Sequence, residues 1–127
     1  KTDRLREAVV QGLMSHVLRL RQRYVEGGGG EEATLILLPL SITATLPLLR
    51  GVQRLLGRPV LSHSDAVIED VAAQLKLDLQ GLLDCWLFKR GQITPGLHEV
   101  PRLFDRYLQT TTLLTRAVVQ LAQPGQR

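Results

Sequence analysis

Residues 33–49 read ATLILLPLSITATLPLL, seventeen consecutive positions without a charge, broken by Pro39 and Pro47 and dotted with Thr34, Ser41, Thr43 and Thr45. Such a run calls for surroundings that are apolar on almost every side. A membrane span needs about 20 mostly apolar residues, and this run reaches that length only by taking in Glu31, Glu32 or Arg50. It therefore reads as the central helix of a water-soluble bundle, with no membrane among its partners. Each proline removes a backbone donor, so a kink or a division into two helices in series is expected. The hydroxyls are expected to bond back to carbonyls one turn earlier, which satisfies them in an apolar interior.

Working outward, this helix is predicted to start near Glu31 or Glu32 and to run to about Leu56, with Gly57 as the residue that ends it and Pro59 barring continuation. Residues 27–30 are four glycines, whose backbone entropy predicts a flexible link across residues 26–31. They do not form a phosphate loop, because Glu31 and Glu32 follow where a Walker loop requires lysine and then serine or threonine. Over residues 3–25 the apolar positions Leu5, Val9, Leu13, Val17, Leu20 and Tyr24 recur at steps of three and four, the signature of one helix face, with Thr2 as N-cap.

Beyond the central segment, Ser62 or Ser64 is expected to cap a helix carrying Val67, Ile68, Val71, Ala72 and Leu75. Asp78 is expected to cap a shorter one carrying Leu79, Leu82, Leu83, Trp86 and Leu87 and stopping at Gly91. Thr94 and Pro95 mark the entry to a last long helix, although Pro101 moves its start toward Val100. The tail over residues 123–127 is expected to fray. The sum is an all-α fold: one compact helical bundle of four to six helices spanning residues 1–127, its central apolar helix kinked at prolines.

Composition agrees. A chain of 127 residues with 44% apolar and 22% charged side chains fills one core, and abundant leucine with few aromatics favours helices over sheet. The single cysteine, Cys85, excludes an intrachain disulfide and points to a reducing cytoplasm. The start at Lys1, without a signal sequence, suggests a piece of a longer protein whose upstream part carries any chemistry. Net charge is +4, and all of it lies in residues 1–25, where six basic residues face two acidic ones. Those basic residues are not interleaved with stacking aromatics, which argues against a nucleic-acid partner.

Candidate chemistry is sparse. His16, His63 and His98 fall in separate elements with no partner at metal-ligand spacing, so neither a metal nor another cofactor is predicted, and each is assigned a surface or capping role. Cys85 among apolar neighbours reads as a buried thiol. Ser62, His63, Ser64 and Asp65 hold the letters of a hydrolase triad, but at this closeness they are turn and cap chemistry. No catalytic residue is assigned. The best binding candidates are His16, Arg19 and Arg23, spaced by three and four on one helix face and able to clamp a phosphate or carboxylate. A weaker alternative is a pocket near Trp86, Tyr107 and His98.

Several runs carry a resemblance: residues 15–24 (SHVLRLRQRY), 48–52 (LLRGV), 55–59 (LLGRP), the Ala66-Val67-Ile68-Glu69-Asp70 helix before Leu77-Asp78, 88–91 (FKRG) and 103–108 (LFDRYL). In this order they resemble the C-terminal helical region of bacterial nucleotidyltransferase-like proteins, over most of the chain. That resemblance implies a helical bundle packed beside a catalytic nucleotidyltransferase domain, supplied in cis or in trans, and helping to form the acceptor-substrate site. The catalytic signature of such a domain is a Gly-Ser turn followed by paired aspartates that hold Mg²⁺. This chain has no Gly-Ser dipeptide and no Asp-x-Asp. The expected function is a non-catalytic substrate-binding or docking domain. The alternative is a self-associating helical scaffold or adaptor, a homo-oligomer paired through the apolar central helix.

Overall fold

The computed structural model describes residues 2–28, 30–59 and 61–121, with the backbone alone for Thr2. Thr2 is the first residue of α1 in place of the expected N-cap, its side chain lying outside the described residues with the tail expected to fray. Five helices form an all-α bundle: α1 (Thr2–Glu26), α2 (Glu31–Leu55), α3 (Ser64–Leu75), α4 (Gln80–Lys89) and α5 (Val100–Leu121), with a 3-10 turn over Leu97–Glu99. No strand occurs among the described residues.

Helix α2 is the hub and packs against each of the other four helices. It is continuous through Pro39 and Pro47, the single central helix expected, and of the two outcomes foreseen for its prolines the division into two helices does not occur. A proline inside a helix costs about 3 kcal/mol, but full burial of one large aliphatic side chain returns about 1.5–3 kcal/mol. Leu38, Ile42, Leu49 and Val52 are all wholly buried from this one helix. The hydroxyls behave as expected: Thr34 donates to the Gly30 carbonyl at 2.7 Å, Ser41 to Leu37 at 2.9 Å, Thr43 to Pro39 at 2.8 Å and Thr45 to Ser41 at 3.0 Å. At its end Gly57 adopts φ +70°, the left-handed geometry in which a side chain is strained.

A correction concerns the surroundings of α2. They are not apolar on almost every side, because Ile36 is 68% and Leu40 58% exposed, and Ala33, Thr43, Ala44 and Pro47 are exposed with them. By length and composition alone α2 is also long and apolar enough to cross a membrane, a property shared by core helices of this kind.

The other elements fill the core around it. Val9, Leu13 and Leu20 come from α1, Val67, Ile68 and Val71 from α3, Leu82 and Cys85 from α4, and Phe104, Tyr107, Leu114 and Val118 from α5. Tyr24 stacks on Phe104 with ring centroids 4.3 Å apart and planes 8° from parallel, tying the end of α1 to the start of α5. Helices α4 and α5 cross at Gly81, where an added Cβ would meet the Thr110 hydroxyl and stand 2.7 Å from the Arg106 carbonyl oxygen. Gln53 of α2, wholly buried, donates from Nε2 to Asp70 at 2.9 Å, while its Oε1 has no hydrogen-bond partner. Arg58 also donates to Asp70 at 3.0 Å. The Arg58 and then the Gln53 hydrogen bond hold the Asp70 carboxyl below its ordinary range.

Three helix starts differ from expectation. The N-cap of α3 is His63 rather than Ser62 or Ser64, and its side chain makes no capping bond. The N-cap of α4 is Leu79, with Asp78 one residue earlier accepting from the Gln80 N–H at 2.9 Å. Thr94 and Pro95 stay outside α5, which begins at Val100 as Pro101 required.

Candidate functional site in the cleft between the first two helices

Helices α1 and α2 are joined by only residues 27–30, so they pack as a hairpin. In the linker half of the hairpin a cavity of about 200 Å³ lies against both helices. His16, Arg19, Leu20 and Arg23 line it from α1, and Leu37, Leu40, Ser41 and Ala44 from α2. All three residues singled out from sequence thus share one cavity. Arg19 and Arg23 are exposed, and their guanidinium groups make no hydrogen bond or ion pair among the described residues.

His16 is a different matter from the surface residue expected. It is 5% exposed, and its Nε2 lies 3.0 Å from the Tyr107 hydroxyl and 2.9 Å from the Thr45 hydroxyl. These two hydroxyls are 2.7 Å apart, so the three polar atoms form a closed triangle. Tyr107 and Thr45 are themselves fully buried, and the Tyr107 ring meets the imidazole edge-on at 6.3 Å. Desolvation, seconded by the positive charge of Arg19, pushes the imidazole pKa down to about 4. Burial pushes the Tyr107 phenol up, partly opposed by its Thr45 hydrogen bond. At neutral pH both groups are therefore uncharged. The cleft has a neutral polar floor, an aliphatic wall and two free cations at its rim.

What sequence reasoning missed is that Thr45, Tyr107 and Ser41, each named for another role, join His16 at this cleft. A signal for His16 was present: Val9, Leu13, His16 and Leu20 step by four, three and four, which puts His16 in phase with the buried stripe in preference to Val17. The partners of His16 lie 29 and 91 residues away in sequence, and no local pattern joins them.

The remaining candidates are dispersed. Cys85 is wholly buried as expected; its thiol sits 3.4 Å from the Leu38 carbonyl, and burial raises its pKa to about 12. Trp86 lies under Lys89 and Arg90, whose cationic groups are 5.3 and 5.8 Å from the ring centroid. Tyr107 is sealed against His16, Trp86 is half-buried and His98 is exposed. No group of three metal-ligating side chains occurs among the described residues. In comparisons with known proteins, no family model matches the chain, and neither a curated protein nor a solved structure matches it.

Proposed function

We propose that this chain is a non-catalytic helical binding domain of a nucleotidyltransferase-like protein, with the cleft between α1 and α2 as its working site. The observation that carries the reading is the convergence of Arg19 and Arg23, both without a protein partner, with a buried neutral His16 on one cavity. Free guanidinium groups beside aliphatic walls hold the anionic group of a ligand or of a docking domain. The sealed thiol of Cys85 and the protonated phenol of Tyr107 fit binding better than chemistry.

Two measurements test it. In a chemical-shift titration of the ¹⁵N-labelled protein with inorganic phosphate and small carboxylates, the amides of Arg19, Arg23 and Ser41 should move first. Unmoved spectra at tens of millimolar anion would remove the site. In the genome of origin, a nucleotidyltransferase domain should be encoded in the same reading frame or beside it; finding neither would end the family part of the proposal.

A second reading, a self-associating scaffold, is favoured by the exposed Ile36 and Leu40 on the long apolar helix α2. Light scattering decides it: association predicts a mass rising above 14.2 kDa with concentration, and a constant monomer mass rejects it.

A further inference from the structure

Four contacts meet at the floor of the cleft, and only one allocation of protons serves them all. The Ser41 carbonyl oxygen can only accept, so the single proton of Thr45 goes there at 3.0 Å. The Tyr107 hydroxyl then donates to Thr45 across the shortest side of the triangle, 2.7 Å. Both hydroxyl protons are now used, so the 2.9 Å and 3.0 Å contacts of His16 Nε2 require that nitrogen to carry its own hydrogen and share it between the two oxygens. Any other arrangement sets lone pair against lone pair on at least one contact. A neutral imidazole has one N–H, so Nδ1 is left as a bare acceptor. It has no protein partner among the described residues, and it is not one of the fully enclosed unpaired atoms. His16 is among the residues that line the cavity, and Nδ1 is taken as the acceptor it offers there.

The cleft therefore presents two kinds of demand: an anion for Arg19 and Arg23, and a hydrogen-bond donor for Nδ1. A plain carboxylate or a fully ionised phosphate answers the first and leaves the second unmet. We infer that the cleft selects a small hydroxy-carboxylic acid, its carboxylate on the two guanidinium groups, its hydroxyl donating to His16 Nδ1 and its apolar body against Leu37 and Leu40. The inference rests on the reading of this cleft as a binding site and names the chemistry it prefers. A volume of about 200 Å³ is ample for a ring-sized body, since a cavity of about 150 Å³ holds benzene. Because the imidazole stays neutral down to about pH 4, the acceptor is available throughout the physiological range.

The test uses the whole protein and three probes: mandelate, phenylacetate, which differs from it by the one hydroxyl, and inorganic phosphate. Histidine side-chain ¹⁵N resonances report Nδ1 directly, because a bare ring nitrogen moves upfield when it accepts a hydrogen bond. Mandelate should bind about tenfold or more tightly than phenylacetate, since a site built to pair with a hydroxyl discriminates against the analogue that lacks one. It should also shift His16 Nδ1, which phenylacetate should not. Arg19→Met and Arg23→Met, both at exposed positions, should weaken the two acids alike and leave their ratio unchanged. Equal affinities with Nδ1 unmoved, or binding of phosphate alone, would overturn the donor requirement and leave the cleft as a site. Failure of all three probes would overturn the site itself.

Discussion

At the scale of single residues, His16 makes the protein sensitive to acid. Above pH 6.5 the imidazole is neutral whether the chain is folded or not, and it adds nothing to the pH dependence. Between 6.5 and about 4 the unfolded chain takes up a proton that the folded one refuses. Stability is therefore complete above the ordinary histidine value and is lost as the pH falls toward the depressed one, by about 3 kcal/mol in all. Urea denaturation at stepped pH should show this loss in the wild type and a flatter profile over that interval in His16→Gln. The depressed Asp70 carboxyl has the same sign but acts lower, in the carboxylate range. The Thr45→Val variant keeps the side-chain shape and removes the shared acceptor, leaving the Tyr107 O–H without its partner in a buried setting and the His16 N–H with the Tyr107 oxygen alone. A cost of about 1–3 kcal/mol is expected from urea midpoints at neutral pH. The histidine itself was legible in the sequence as a member of a basic row, but its burial was not. Arg19 and Arg23, one and two turns on, belong to a solvated face, and grouping by charge concealed the apolar phase that His16 shares with Leu13 and Leu20.

At the scale of elements, helix periodicity and glycine positions recovered the five rods, and errors gathered at their starts. N-caps are chosen by short polar residues competing within a few positions, and tertiary packing settles the competition. Thus His63 takes the cap of α3 beside two serines with better side chains for it. That α2 stays in one piece instead of dividing at its prolines could not be decided locally, for another reason. Proline penalties are local and visible in sequence, whereas the burial that offsets them depends on which helices arrive from far along the chain. Gly81 shows the same limit. Nothing in its neighbours predicts that the Arg106 backbone will pass 2.7 Å from the place of its absent Cβ. The Gly81→Ala variant must push α4 and α5 apart against backbone, which does not yield as a flexible side chain does. Destabilisation of about 1–3 kcal/mol is expected, checked by thermal unfolding against an alanine variant at exposed Gln109.

At the scale of the whole molecule, the hub position of α2 predicts how the fold opens. The amides of Ile42, Leu46 and Leu49 lie where contacts with the other helices converge, so they should exchange with solvent only by complete unfolding. Amides in the first turn of α1 should exchange by local fraying. Native-state hydrogen exchange in low denaturant separates the two; equal protection at both places would refute the hub. The all-α class was legible from leucine content and period. The pairing of α1 with α5 was not, because stacked Tyr24 and Phe104 are eighty residues apart in sequence, and amphipathic rods of similar length satisfy many packings on paper.

The enclosed sulfur of Cys85 has a practical consequence. A thiol-directed alkylating reagent finds no target until α4 lifts away from the Leu38 carbonyl, and each such excursion is recorded as one permanent covalent mark. The chain thus carries its own stopwatch for the breathing of its interior, readable by mass spectrometry without an engineered label.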